Sequence, residues 1–267
     1  MKMIIAPLFS GSSGNCVYVG TEENAVLVDA GVSATAILTE MAKVGLDASL
    51  VRALLITHEH TDHTNGAGPL ARKLDVPVYA TQGTMDGCRR KLGKLNPARM
   101  CTVQTGADFY VGGIDILPFP TSHDCADPCG YSFSAGGIRV SVLTDTGCVK
   151  TEALDAVKGS DAVLLESNYN PDMLMAGPYP YELKKRIMGR RGHLSNEDAG
   201  TMAVKLYESG TRTVILGHLS KENNFPELAL QTSTDILAEN GILCGRDLNL
   251  SVARREGGNG VYTIESR

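Results

Sequence analysis

The stretch Leu55-Ile56-Thr57-His58-Glu59-His60-Thr61-Asp62-His63 carries three of the chain's six histidines within six positions. The apolar run Val51 to Ile56 predicts a buried strand, so the histidines begin where a strand ends. Side chains alternate along a strand, and no strand can put His58, His60 and His63 on one face. A loop that leaves the strand and turns into a helix can: His58 and His60 share a face of the strand end, and Asp62 and His63 open the helix. Neutral imidazole and carboxylate are ligands for zinc and comparable first-row divalent ions. The alternative is a solvated polar loop, against which the density of three histidines and an aspartate counts heavily.

A centre for two metal ions draws further ligands from distant segments, and the sequence offers three. His123 lies in Phe119-Pro120-Thr121-Ser122-His123-Asp124, Asp145 in Val142-Leu143-Thr144-Asp145-Thr146-Gly147, and His218 in Val214-Ile215-Leu216-Gly217-His218-Leu219-Ser220. Each follows an apolar run read as a strand, and strand ends meet on one edge of a sheet.

The remainder of the chain supplies such sheets. Met3 to Leu8, Cys16 to Val19, Ala25 to Asp29, Ile114 to Leu117, Tyr131 to Ser134, Ile138 to Leu143, Ala162 to Glu166, Arg212 to Leu216 and Val261 to Ile264 read as strands. Helices are predicted over Ser33 to Lys43, with Ser33 as N-cap and Gly45 as the stop, over Thr64 to Leu74, and around 151–157, 195–208 and 226–239. No repeat or linker divides the chain, so one domain over 1–267 is expected, with two β-sheets packed face to face under helices.

The 267 residues carry 25 Lys+Arg against 30 Asp+Glu, a formal charge of −5, with 43% hydrophobic and 21% charged residues. This profile excludes disordered and fibrous proteins. No apolar run reaches the roughly 18 residues of a membrane span, and MKMIIAPLFSGSSGN lacks the apolar core of a secretory signal. Seven scattered cysteines make a poor disulfide framework. A cytoplasmic protein with no membrane partner is expected. Mild acidity argues against a bulk nucleic-acid coat and leaves room for a local basic groove.

The ordered set His58/His60/Asp62/His63, His123, Asp145 and His218 resembles the ligand pattern of the metallo-β-lactamase-fold hydrolases. Leu27-Val28-Asp29-Ala30-Gly31 resembles the aspartate element that opens that pattern. The resemblance implies an α/β protein, a four-layer αββα sandwich of two mixed β-sheets flanked by helices. It also implies two divalent metal ions per chain, zinc or manganese. His58, His60 and His123 would hold one ion, and Asp62, His63 and His218 the other. Asp145 would bridge them, beside a shared hydroxide that attacks the substrate; Asp62 then counts as catalytic as well as a ligand. Asp29 would hydrogen-bond the histidine loop from behind, although alone it also reads as a strand-ending turn residue. His218 follows Asp145 by only 73 positions, too few for the extra domain that β-CASP nucleases insert there.

Substrate class rests on softer features. Aspartate at 145, where the best-known β-lactamases carry cysteine, resembles the phosphodiesterase and thioesterase members. His193, in Arg190-Arg191-Gly192-His193-Leu194-Ser195, precedes a helix that Ser195 caps, and helix N-termini receive anions. There His193 can contact a scissile phosphate or protonate the leaving oxygen; otherwise it is structural. Its loop resembles the Gly-His-Ser-Thr loop of the transfer-RNA-processing nucleases of this superfamily. Lys184, Lys185, Arg186, Arg190 and Arg191 form either a solvated helix face or a track for a phosphate backbone. Arg89, Arg90, Lys91 and Lys94 form a second, weaker cluster. Ser13 and Asn15, in Gly11-Ser12-Ser13-Gly14-Asn15, belong to a phosphate-binding nest or to an ordinary hairpin.

That turn, with Leu165-Glu166-Ser167-Asn168-Tyr169 and His218-Leu219-Ser220-Lys221-Glu222-Asn223-Asn224, resembles the YycJ/VicX (WalJ-like) subgroup, bacterial cytoplasmic exonucleases acting on DNA. The implied partner is nucleic acid, DNA ahead of RNA, with Asn168 among its contacts. Any clamp around the strand would come from loops, the basic segment or a second copy in a homo-oligomer. Cys125 and Cys129, spaced CxxxC after His123, are read as turn and core residues rather than ligands. Two other readings remain open: a thioesterase or lactonase of the glyoxalase II kind, and a non-catalytic, metal-stabilised protein that binds a regulatory partner. The former carries a helical segment after its last histidine, whereas the 49 residues after His218 end in an apparent strand.

Overall fold

The computed structural model of the chain describes residues 1–266. Its strands fall into two mixed sheets of seven. The first sheet comprises β1 (Lys2–Phe9), β2 (Cys16–Gly20), β3 (Ala25–Val28), β4 (Val51–Leu55), β5 (Val78–Thr81) and β6 (Met100–Val103), with β14 (Tyr262–Glu265) pairing on β1. The second runs β7 (Phe109–Val111), β8 (Ile114–Pro120), β9 (Cys129–Ala135), β10 (Ile138–Leu143), β11 (Ala162–Glu166), β12 (Thr213–Gly217) and β13 (Asn249–Val252).

Each sheet is antiparallel on one side and parallel on the other. Parallel pairing joins β3 to β6 in the first sheet and β10 to β13 in the second. Parallel neighbours need crossovers, and helices supply them. They are α1 (Ala34–Lys43), α2 (Thr61–Thr64), α3 (Ala67–Leu74) and α4 (Gln82–Leu92) on the first sheet, and α5 (Thr151–Val157), α6 (Pro171–Ala176), α7 (Tyr181–Met188), α8 (Asn196–Glu208) and α9 (Pro226–Glu239) on the second.

Alternating side chains divide the interior into three cores. Met3, Ile5, Val26 and Val28 meet Ile116, Phe133, Val140 and Val142 between the sheets. Their neighbours Leu8 and Leu27 face the other way and pack with Ile37, Met41 and Leu70 of the helices. Leu165, Val214 and Leu216 pack against Ala203, Leu206 and Leu237. Helix, sheet, sheet, helix is the four-layer αββα sandwich expected from the sequence. The buried Tyr131 hydroxyl of β9 donates to the Ile56 carbonyl at 2.9 Å, tying one sheet to the other just ahead of the histidine loop.

The expected helix from Thr64 to Leu74 is two helices, broken at Asn65-Gly66. The Gly66 N–H donates to Ala30 O at 2.7 Å, and a Cβ there would lie 2.0 Å from Val32 O. The chain must leave the helical path to seat the histidine loop against the turn after β3. Ser33 caps α1 through its hydroxyl on the Ala36 N–H. Ser195 opens α8 with a reciprocal capping box to Asp198.

Candidate active site

One edge of the sandwich collects the turns that follow β3, β4, β8, β10 and β12, and these turns carry Asp29, His58, His123, Asp145 and His218. Glu166 is the last residue of β11. Asp29, Asp145 and His218 adopt left-handed backbone, with φ of 63°, 55° and 55°. Side chains other than glycine's rarely hold that conformation, and such strain concentrates at functional sites. The only other non-glycine residue with positive φ among those described is Asp75, which ends α3.

Hydrogen bonds fix the face that each ring presents. His63 Nδ1 lies 2.8 Å from Asp29 Oδ2, and a carboxylate oxygen only accepts, so Nδ1 carries the proton. Thr57 donates its hydroxyl to Asp29 Oδ2 at 2.8 Å and therefore accepts from His58 Nδ1 at 3.0 Å. His123 Nδ1 donates to Gly192 O at 3.0 Å, and His218 Nδ1 to Glu166 Oε1 at 2.9 Å. Four rings thus spend Nδ1 outward and turn Nε2 inward, the arrangement that orients metal-binding histidines.

The inward atoms converge. His63 Nε2 stands 3.4 Å from Asp62 Oδ2 and 3.5 Å from Asp145 Oδ2; His218 Nε2 is 3.6 Å from Asp62 Oδ2. Asp145 Oδ1 reaches the other side, 3.8 Å from His123 Nε2. His60 Nδ1 faces His123 Nε2 at 3.3 Å. The sets His58/His60/His123, Asp62/His63/His218 and His58/His63/Asp145 each offer donor atoms within 4.8 Å of one another.

Buried His58 Nε2, His218 Nε2 and Asp145 Oδ2 have no hydrogen-bond partner. Orphaned lone pairs at such depth are costly unless a cation meets them. Three carboxyl or imidazole groups per set, all oxygen and nitrogen donors, suit a divalent ion.

Electrostatics divides the cluster. Burial pushes His58 and His123 below the ordinary histidine value, with neighbouring rings adding to the effect at His58. Burial opposes charge on His63 and His218 as well, but Asp145 and the other carboxylates outweigh it. His63 is held well above its usual value, and His218 is pushed up to about 10. Asp62, despite burial, is held well below the carboxylate range by His63 and His218.

His193 joins the same edge. Its Nδ1 donates to Glu166 Oε1 at 2.7 Å, leaving Nε2 for the cleft, and its side chain is 19% exposed. Fully buried Glu166 holds its charge against desolvation because His193 and His218 surround it. Its Oε2 accepts the N–H groups of Thr146 at 2.8 Å and Leu194 at 3.2 Å.

The cleft in front of these groups has a volume of about 280 Å³. Of the substrate contacts expected from the sequence, Asn168 and Arg186 line it, while Ser13, Asn15, Lys184, Lys185, Arg190 and Arg191 do not. Ser12 takes the place expected for Ser13. Asn15 is turned beneath the histidine loop, its side-chain nitrogen donating to Asp62 O at 3.3 Å and lying 3.0 Å from His63 Nε2, and its oxygen accepting from Gly11 N at 2.8 Å. Lys184 is buried and donates to Met175 O at 2.6 Å. Arg191 donates to His123 O at 3.1 Å, and Arg186 pairs with Asp124. Lys91 is likewise engaged, bound to Glu59 O at 2.8 Å and Thr64 Oγ1 at 2.9 Å. Much of the positive charge therefore braces loops.

Sequence reasoning passed over Glu166 as a functional group, and over Thr57. The available signal was a lone carboxylate closing the apolar run Ala162-Val163-Leu164-Leu165-Glu166, since buried acids are rare without a partner.

Paired mixed sheets between helix layers, with histidines and carboxylates gathered at the strand ends, define the metallo-β-lactamase-fold class. The chain belongs to the β-lactamase superfamily, whose domain description matches residues 24–219. Within it the chain falls in the YycJ/WalJ group. It is 37% identical over 245 residues to exodeoxyribonuclease YycJ of Bacillus anthracis, covering 92% of this chain and 93% of that protein. It is 38% identical to exodeoxyribonuclease WalJ of Streptococcus pneumoniae, covering 91% of each. Its fold matches the metallo-β-lactamase fold protein YhfI from Bacillus subtilis with a TM-score of 0.71 at 16% identity, over 99% of this chain and 100% of that one. Fold and donor set together mark a site for divalent metal. Among the described residues no helix is long and apolar enough to cross a membrane.

Proposed function

We propose that the protein is a metal-dependent exodeoxyribonuclease, a cytoplasmic enzyme built as one domain over residues 1–267. The observation that carries this reading is His193, held by buried Glu166, standing in one cleft with the candidate metal ligands His60, Asp62, His123, Asp145 and His218. The likeness to exodeoxyribonucleases over nine-tenths of the chain supports DNA as the substrate, ahead of RNA.

His58, His60 and His123 would hold one ion and Asp62, His63 and His218 a second, with Asp145 facing both; zinc and manganese both suit these donors. When bound, such ions supply a water that is deprotonated near neutral pH and offset the charge developing on a phosphate's non-bridging oxygens.

The chain's own groups do the rest. Asp29 and Thr57 hold the rings of His63 and His58, so that the donor atoms are in place before any ion arrives. Glu166 accepts the Nδ1 protons of His193 and His218 and fixes both rings. His193 then presents Nε2 to the cleft, where it protonates the oxygen leaving the scissile phosphate. Ser12, Asn168 and Arg186 line the cleft, where they would bind the phosphate oxygens.

The test is the metal-reconstituted protein on 5′- and 3′-labelled DNA, single- and double-stranded, with matched RNA and a glutathione thioester alongside. Release of mononucleotides from DNA ends is expected. Rapid thioester hydrolysis with DNA left intact would replace this reading with the thioesterase one.

A further inference from the structure

Part of the cleft's lining is of a different character. Tyr179, Leu183 and Ile187 form it, with Arg186 at its edge. Leu183 and Ile187 are four apart on α7, so they share one face, and Tyr179 continues that row from the turn before the helix. The Tyr179 hydroxyl makes no hydrogen bond among the described residues, so the ring is not there to satisfy a neighbour.

This wall is braced. Tyr179 lies in Gly177-Pro178-Tyr179-Pro180, between two prolines that restrict the backbone. Asn170, the N-cap of α6, donates its N–H to Asn223 O at 2.9 Å, which ties the segment to the loop after His218. Lys184 Nζ binds α7 to Met175 O of α6. On the far side the Arg186–Asp124 pair ties α7 to the loop of His123. An apolar, aromatic surface is thus held rigidly between two ligand-bearing loops, and pre-organised surfaces bind without an ordering cost.

We infer that Tyr179, with Leu183 and Ile187, is the stacking wall for the nucleobase of the terminal nucleotide, seating that base while its phosphate lies at the histidine cluster. This deepens the nuclease reading and rests on it. A phosphate at the cluster brings an attached sugar and base into the same cleft, and the apolar wall is the surface left for the base. At about 280 Å³ the cleft lies at the small end of ligand sites, suited to a single nucleotide unit. Aromatic stacking tolerates any base, because every base has a π-face. It would grip each successive end without reading its sequence.

The experiment compares the metal-loaded enzyme on an oligonucleotide with a normal terminal nucleotide and on one whose terminal residue is a base-less tetrahydrofuran, at each end in turn. The wild-type protein should favour the base-bearing end by about 5- to 150-fold in kcat/KM, the equivalent of roughly 1–3 kcal/mol. Tyr179→Ala should lose most of that preference, mainly through KM on the base-bearing end, and leave the base-less end unmoved. Tyr179→Phe, which keeps the ring, should restore the preference. Equal slowing of both substrates by Tyr179→Ala would make the residue a structural support, and no slowing of either would remove it from binding; each overturns the proposal while the nuclease reading stands. A wild-type protein that leaves both oligonucleotides intact would overturn the nuclease reading and this inference together.

Discussion

Nδ1 of His193 lies 2.7 Å from Oε1 of Glu166, the same carboxylate oxygen that receives Nδ1 of His218 at 2.9 Å. A single buried oxygen therefore orients one ring proposed to hold metal and one proposed to move a proton. Removing the His193 ring should leave the ligands untouched. We expect His193→Ala to bind metal as the parent does and to lose about 10²–10⁴-fold in kcat, the usual contribution of a positioned acid. Metal content and single-turnover rates check both halves. Glu166→Ala should lower metal affinity as well as kcat, and adding it to His193→Ala should cost much less in kcat than it does alone, because the two act as a unit.

Asp29 stands behind the proposed ligands in the same way. It receives the His63 ring at 2.8 Å, the Thr57 hydroxyl at 2.8 Å and the Thr57 N–H at 2.8 Å. Partners of this kind typically contribute 10–100-fold to metal affinity. Asp29→Asn keeps a residue tolerant of left-handed backbone and removes the charge together with one of the two acceptor oxygens. Competition with a chromogenic chelator should show affinity falling within about that 10–100-fold range, with the far-ultraviolet circular dichroism unchanged.

The sequence was most readable where one physical signal acted alone. Ile138 to Leu143 and Ala162 to Glu166 are strands with the expected bounds, because the first alternates apolar and polar residues and the second is apolar up to its last residue, and neither pattern carries a helical period. The helices over 151–157 and 226–239 likewise agree. Elements with mixed signals escaped notice. Residues 82–92 form a helix despite two internal glycines, Gly83 and Gly87, which pack against Asp127 and Glu59 where a Cβ would lie 2.7 Å away. The basic run 184–191 is partly helix α7, and its charges are spent on Met175, Asp124 and His123 through tertiary contacts that no local pattern encodes. The clustered histidines stood out because three of them lie within six positions. Glu166 did not, because its partners lie 27 and 52 positions away.

Metal should stabilise the fold as well as activate it, because the unfolded chain cannot assemble donors from four separate segments. A ligand that binds only the native state at 100 times its Kd adds about 2.7 kcal/mol. For a protein of this size, one kcal/mol moves Tm by roughly 2–4 °C. Titrating manganese or zinc into chelator-treated protein should therefore raise Tm by about 5–11 °C per site at that excess. The shift should be much smaller in Asp145→Ala, which removes the carboxylate facing both donor sets.

Gly31 tests whether the turn after β3 positions the histidine loop by backbone contact alone. Its N–H donates to Asn15 O at 2.8 Å, while Ala30 N reaches His63 O and Asn15 N reaches Asp62 O, each at 2.8 Å. A Cβ at Gly31 would fall 1.7 Å from the Asp62 carbonyl oxygen, so the two segments must part if any side chain is added. Gly31→Ala introduces no polar group and removes no ligand. Overpacking of this kind costs about 1–3 kcal/mol, which corresponds to a drop in Tm of roughly 2–12 °C. The displaced segment is the one that carries Asp62 and His63, so metal affinity should fall along with Tm. Gly45→Ala offers the control: Gly45 has positive φ, at 75°, which Gly31 does not, and nothing lies within 4 Å of its Cβ position. That variant should lower Tm through backbone strain and leave metal affinity as in the parent. Equal metal affinities in the two variants would show that the close approach at Gly31 does not set the position of the ligands.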